Sequence, residues 1–60
     1  MTMEKTVFRM EEAARYLSIS RAKAYELIQR GELRSVKIDG SRRVTLRQLE
    51  EYIEHLEAAS

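Results

Sequence analysis

Two short apolar stripes, separated by a brief break, constrain the fold of this chain more than any other feature. The first has the i, i+3, i+4, i+7 spacing of one helix face and consists of Met10, Ala13, Ala14 and Leu17. The second consists of Ala24, Leu27 and Ile28. Ser20 before the second stripe is a good N-cap, and Gly31 after it suits a C′ position. The spacing predicts helices over residues 10–17 and 20–30, joined by a tight three-residue turn.

A strand pair is predicted after the second helix, because Val36 and Ile38 alternate with polar residues. Asp39-Gly40 supplies the turn. A two-residue loop there would pair Val36 with Arg43 and leave Val36 and Val44 on opposite faces. A three-residue loop, 39–41, instead pairs Val36 with Val44 and Ile38 with Arg42. We favour the three-residue loop, which keeps the valines together and turns Lys37 and Arg43 outward together.

A third helix should begin at Thr45, which has capping-box spacing to Gln48. Its apolar stripe, which is expected to close the core, consists of Leu46, Leu49, Tyr52, Ile53 and Leu56. The fold class expected is mainly α with a small β-hairpin: a winged helix-turn-helix of three helices and a two-stranded antiparallel wing. Residues 1–60 should form one domain, ordered over about 7–57 and frayed before Thr6 and after Glu57.

Composition argues against several classes of function. The chain has no cysteine and one histidine, His55, so neither a disulfide nor a transition-metal site is expected. A chain of 60 residues buries too small a core for an enzyme-sized cleft. No apolar run approaches the roughly 20 residues of a membrane span, and residues 1–6 lack a signal-peptide core. We expect a cytoplasmic protein without catalysis, cofactor, small-molecule ligand or membrane contact.

The net charge of +1 conceals a strong asymmetry along the chain. Residues 15–47 carry nine basic and three acidic side chains, a net charge of +6. Residues 48–60 carry four glutamates and neither lysine nor arginine. This asymmetry suits a protein that lays one face on a polyanion and turns the other away from it. Double-stranded DNA is the partner we expect.

The second of two helices joined by a tight turn is the recognition helix of a helix-turn-helix, and it enters the major groove. Its candidate DNA-binding residues are Ser20, Arg21, Ala22, Lys23, Tyr25, Glu26, Gln29 and Arg30. Arg21 is the first choice for base readout, because a guanidinium can bind guanine O6 and N7 together. Ala22 suits a thymine methyl and Glu26 a cytosine amino group. A solvated surface helix, with Tyr25 half-buried beside the core, is the simpler alternative.

The hairpin is the expected wing, with Lys37, Gly40, Ser41, Arg42 and Arg43 as its candidate DNA-binding residues. Basic side chains around a glycine turn suit contacts with phosphates or the adjacent minor groove. Arg34 is an additional candidate phosphate contact. The alternative is that these charges only prevent edge-to-edge aggregation of the strands.

Short motifs follow one another in a distinctive order: Glu11-Glu12-Ala13-Ala14, Tyr25-Glu26-Leu27-Ile28, Gly31-Glu32-Leu33, Val36-Lys37-Ile38, Arg42-Arg43-Val44 and Leu49-Glu50-Glu51-Tyr52. Over residues 8–56 this order resembles the excisionase-type DNA-binding family, whose winged helix-turn-helix fold is related to the MerR regulators. The resemblance implies a nucleoid-associated architectural protein without cofactor or catalysis. Several copies would bind adjacent DNA sites head to tail, bend the DNA and direct an integrase towards excision.

Within that resemblance, the recognition-helix motif carries over to Arg21, Ala22, Lys23 and Glu26, and the wing motif to Lys37, Arg42 and Arg43. Arg9 departs from the Thr or Ser common before the first helix, which weakens a cap. Arg34 departs from a common proline.

Three hypotheses of function follow. The first is an excisionase, a recombination directionality factor, favoured because so small a domain leaves no room for a sensor or a dimerisation coiled coil. The second is a small MerR-like transcriptional regulator on the same fold. The third is a protein-interaction module whose helix over residues 46–56 docks on a partner. Tight binding to a protein without any DNA affinity would distinguish the third from the others.

Overall fold

Three helices are separated by short turns or extended segments. The computed structural model describes residues 5–59. Helix α1 spans Met10–Tyr16, helix α2 spans Arg21–Gln29 and helix α3 spans Leu46–Ala59. The predicted fold class, a mainly helical winged helix-turn-helix, is confirmed. The part of the expected fraying that falls on residues 1–4 and on residue 60 lies outside the described residues. None of the helices within residues 5–59 has the length and apolar character to cross a membrane.

The sheet contains one strand more than predicted. Strand β1 spans Val7–Arg9, β2 spans Val36–Ile38 and β3 spans Ser41–Thr45, in the antiparallel order β1-β3-β2. Three residues are too few to show an alternation of apolar and polar positions, so β1 has no clear sequence signal. The wing, strands β2 and β3 with their turn, is therefore joined to the start of α1 through β1 rather than standing apart.

The predicted register of the wing is wrong. Val36 pairs with Arg43, Lys37 with Arg42 and Ile38 with Ser41, which is the two-residue loop. The backbone at Asp39 and Gly40 has φ of +51° and +78°, the combination that a type I′ hairpin turn requires and that Asp-Gly favours.

Strand β1 explains why the two valines need not pair with each other. Val44 is fully buried, and its partner across the sheet is Phe8 of β1. Val36 lies on the other face, where it is half-buried. The expectation that Lys37 and Arg43 face outward together is also wrong, since Lys37 shares a face with Arg42 and Val44.

The turn between α1 and α2 is a Schellman motif. The Ile19 backbone N–H donates to the Ala14 carbonyl (2.9 Å), and the Ser18 N–H donates to the Arg15 carbonyl (3.1 Å). Ser18 occupies the left-handed C′ position with φ of +60°. The predicted N-cap follows at once, because the Lys23 N–H donates to Ser20 Oγ (3.1 Å). These bonds set the angle at which α2 leaves α1.

The two other predicted cap signals are confirmed. At the end of α2, Gly31 has φ of +79°, and the Glu32 N–H donates to the Leu27 carbonyl (3.0 Å) in a second Schellman motif. Before α3, the Thr45 N–H donates to Gln48 Oε1 (3.0 Å) and the Gln48 N–H donates to Thr45 Oγ1 (3.1 Å), which is the capping box. Local hydrogen bonds thus define these helix ends.

The core is small and draws on every helix and on the sheet. Its buried side chains are Met10, Ala13, Ala14, Ala24, Leu27, Leu33, Val44 and Leu49. Both predicted apolar stripes of the helix-turn-helix face this core, and the alanines let α1 and α2 approach closely. The predicted stripe of α3 contributes less, since only Leu49 is fully buried. The exposed length of α3 therefore projects beyond the core.

Candidate nucleic-acid interface

Helix α2 presents the polar face that its apolar spacing predicts. Ala24 and Leu27 are buried and Ile28 is half-buried, so the helix packs on this side. The exposed residues are Arg21, Ala22, Lys23, Tyr25, Glu26, Gln29 and Arg30. Ser20 is also exposed, but its hydroxyl already caps α2. The contact of these residues with DNA stays a prediction.

Arg21 is the first residue of α2, and its charge is not paired with a carboxylate within residues 5–59. Its guanidinium lies over the Tyr25 ring, 5.9 Å from the ring centroid, and it has no ion-pair partner within residues 5–59. Tyr25 is 40% exposed, more than the half-buried flank of the simpler alternative. The stacked ring orients the arginine while leaving its five N–H donors for a ligand.

Two other exposed cations, Lys23 and Arg30, differ from Arg21 because both are paired with Glu26. Its carboxylate accepts from Lys23 Nζ at 3.0 Å and lies 3.3 Å from Arg30 Nη2. Arg30 also approaches Glu32, at 3.5 Å. The hydrogen bond from Lys23, assisted by the charge of Arg30, holds the pKa of Glu26 below its ordinary value of 4.5. A cytosine amino group would have to compete with these partners for Glu26.

The wing carries its basic residues at and behind the turn. Gly40 and Ser41 are exposed at the tip, and Lys37 is exposed on β2. Arg42 Nη1 donates to Ser35 Oγ (2.6 Å), which ties this half-buried side chain to the segment before β2. Arg43 is half-buried, and its guanidinium makes one long hydrogen bond within residues 5–59, to the Arg42 carbonyl (3.4 Å).

The start of α2 and the wing share one open groove, here called the α2–wing groove, with a volume of about 480 Å³. Tyr25, Gly40 and Ser41 are among its lining residues. Its charged lining consists of Arg9, Arg21, Lys37, Arg42, Arg43 and the single carboxylate of Glu11. Five cations against one anion, in a concave surface, raise the local concentration of a polyanion.

Several predicted residues lie outside this groove. The groove lining includes neither the two cap residues of α2 nor four residues within the helix: Ser20, Ala22, Lys23, Glu26, Gln29 and Arg30. Arg34 lines a separate depression with Ser35, Arg42 and Gln48, and it has no ion-pair partner within the described chain. Arg34 thus suits a contact at the side of the groove rather than within it.

Two charged groove residues, Arg9 and Glu11, were not predicted to belong to a site. Both lie at the junction of β1 and α1. This junction lies beside the wing because β1, the strand that was not predicted, pairs with β3. The one available signal was an arginine at a helix cap. Arg9 is the N-cap of α1 and its side chain makes no capping hydrogen bond, as the sequence indicates.

A family model described as a helix-turn-helix domain matches residues 7–56, which include all three strands, α1, α2 and most of α3. No curated protein and no solved structure matches the chain.

Proposed function

This chain belongs to a family of helix-turn-helix domains, and on that premise we propose that it binds a specific site on double-stranded DNA through the α2–wing groove. Helix α2 enters the major groove, where Arg21 reads a guanine. The wing contacts the phosphates that border the adjacent minor groove. The two elements therefore have different tasks: α2 reads the sequence, and the wing fixes the position of the domain on the duplex.

The proposal rests on one observation: Arg21, which has no ion-pair partner within residues 5–59, lines the same groove as the basic residues of the wing. Arg21, Lys37 and Arg43 have no ion-pair partner within residues 5–59, although Glu11 lies on the same surface. Cations without partners lose little when they bind phosphate, whereas Lys23 and Arg30 must first leave Glu26. Binding energy should therefore concentrate at the start of α2 and in the wing.

We further propose that the biological role is that of an excisionase, which bends DNA and directs an integrase towards excision. The motif order over residues 8–56 supports this role. The same resemblance supports binding of several copies head to tail on adjacent DNA sites. A small MerR-like regulator would use the same DNA interface, so the two roles differ only in what the bound DNA does.

Salt dependence tests the DNA contact itself. If about five cations neutralise phosphates, the logarithm of the binding constant should fall against the logarithm of salt concentration with a slope of about −4 to −5. Fluorescence anisotropy with a labelled duplex at several salt concentrations gives this slope. A salt-insensitive association would contradict the electrostatic interface, and binding to protein alone would favour an interaction module.

A paired experiment tests the biological role. Footprinting on DNA that flanks the encoding gene should show several adjacent protected sites that fill cooperatively. An excision assay with the neighbouring integrase should then give more product in the presence of this protein than in its absence. Footprints without any change in excision would instead support the regulator.

A further inference from the structure

Arg9 is basic, exposed and outside both elements that a helix-turn-helix is expected to use. We propose that Arg9 is a further DNA-contacting residue, which binds the phosphodiester backbone from the β1–α1 junction. The inference rests on the proposed function and adds a third anchor to it, beside the start of α2 and the wing. Its location carries the first argument: Arg9 lines the α2–wing groove together with Arg21 and Lys37.

Arg9 also faces another cation across the sheet. The register places Arg9 directly opposite Arg43, and paired residues of an antiparallel ladder lie on the same face. Like charges in this arrangement repel, and the nearby carboxylate of Glu12 is engaged with Lys5. Glu11 is the one carboxylate of the groove, and neither arginine forms an ion pair within residues 5–59. A phosphate bound to both guanidinium groups would relieve the repulsion.

An arginine at position 9 does not stabilise the start of α1. The N-cap of a helix favours a side chain that accepts a hydrogen bond, and Arg9 accepts none. The Arg9 backbone N–H donates to Glu12 Oε1 (2.9 Å), a bond that does not depend on the arginine side chain. Residues that break a local folding rule are expected at functional sites, where activity compensates for lost stability.

The contact expected is sequence-independent. Arg9 belongs to neither α2 nor the wing tip, so it is suited to the backbone rather than to base edges. Because β1 is hydrogen-bonded to β3, an anchor at Arg9 would hold the sheet, and with it the wing, against one strand of the duplex. Such contacts fix orientation without adding sequence information.

Arg9→Ser separates the effect of Arg9 on folding from its effect on DNA binding, because stability should rise while affinity falls. A serine supplies the missing cap, so the urea midpoint of unfolding should rise. Affinity should fall about fivefold for specific and unrelated duplexes alike, and the salt slope should become shallower by about 0.9. Arg47→Ala is the charge-matched control, since its side chain is 88% exposed on α3 and lies 3.8 Å from Glu51. Its slope should stay close to that of the wild type.

Arg9→Lys completes the test, because it keeps the charge and also lacks a capping acceptor. Its salt slope should match the wild type. Equal loss of slope in Arg9→Lys and Arg9→Ser, or an unchanged slope in Arg9→Ser, would overturn the role of Arg9 while leaving DNA binding by the wild type intact. Absence of salt-dependent binding by the wild type would instead overturn the proposed function.

Discussion

At the scale of single residues, the exposed cations of α2 differ in how freely they can bind a ligand. Arg21 is stacked on Tyr25 with its donors unused, whereas Lys23 and Arg30 are held by Glu26. These exposed ion pairs contribute little to stability, but they must loosen before their cations meet DNA. Base readout should therefore be concentrated at Arg21.

Arg21→Ala should relax sequence preference more than it weakens binding to unrelated DNA. Loss of a bidentate arginine–guanine contact costs about 1–3 kcal/mol at one base position. Lys37→Ala in the wing is the matched comparison, and it should weaken binding to all duplexes similarly while making the salt slope shallower by about 0.9. Competition binding with a library of single-base variants gives both quantities. Equal, sequence-blind losses in the two variants would contradict this assignment of roles.

At the scale of elements, the turn between α1 and α2 determines how α2 is oriented relative to α1. Ser18 adopts a left-handed backbone conformation that costs a residue with a Cβ about 1–2 kcal/mol. Two residues later, Ser20 contributes its hydroxyl to the first turn of α2. The backbone conformation of Ser18 therefore lowers stability, whereas the capping hydrogen bond of Ser20 raises it. The sequence alone does not distinguish the two serines.

Substitutions of these two serines should have opposite signs. Ser18→Gly should raise the free energy of unfolding by about 0.5 kcal/mol, because relief of the left-handed conformation exceeds the added entropy of the unfolded chain. Ser20→Ala should lower it by about 1 kcal/mol through loss of the cap. Urea denaturation monitored by circular dichroism gives both values. A loss of stability in Ser18→Gly would show that the Ser18 side chain makes a favourable contribution that its backbone conformation conceals.

At the scale of the whole molecule, stability is limited by the size of the core. Among residues 5–59, three of the eight buried hydrophobic residues are alanines, which bring α1 and α2 together but bury little apolar surface. A domain of this size is only marginally stable, so small surface contributions become measurable. The carboxylates of Glu12 and Glu26 make such contributions. Lys5 and the Arg9 backbone N–H lower the pKa of Glu12, and Lys23 and Arg30 lower that of Glu26.

Stability should therefore fall in acid. Both carboxylates have a pKa below the ordinary 4.5 in the folded state, so the unfolded chain takes up protons first as the pH drops. Their contribution should be fully present above about pH 5 and lost as the pH falls through the lowered pKa values. The double variant Glu12→Gln, Glu26→Gln should show a flatter profile of unfolding free energy between pH 6 and pH 3. Superimposable profiles for variant and wild type would contradict this prediction.

Much of the helical structure was predictable from the sequence, because its determinants are local. A stripe with helical spacing identifies the buried face of α2, and the caps at Ser20, Gly31 and Thr45 depend only on residues within one turn. The exposed face that carries Arg21 follows from the same spacing. These features can be predicted without knowing which helices and strands pack together.

The sheet was decided by tertiary structure. Strand β1 supplies Phe8 as the partner of Val44, so the hairpin had no need to pair its own valines, and the Asp-Gly turn adopted the shorter loop. The same strand brings Arg9 beside Arg43 and into the groove. Pairing between residues more than thirty positions apart leaves no local pattern in a strand of three residues. The ends and the buried face of α2 were therefore determined by local sequence, whereas the strand pairing of the wing was determined by contacts between distant parts of the chain.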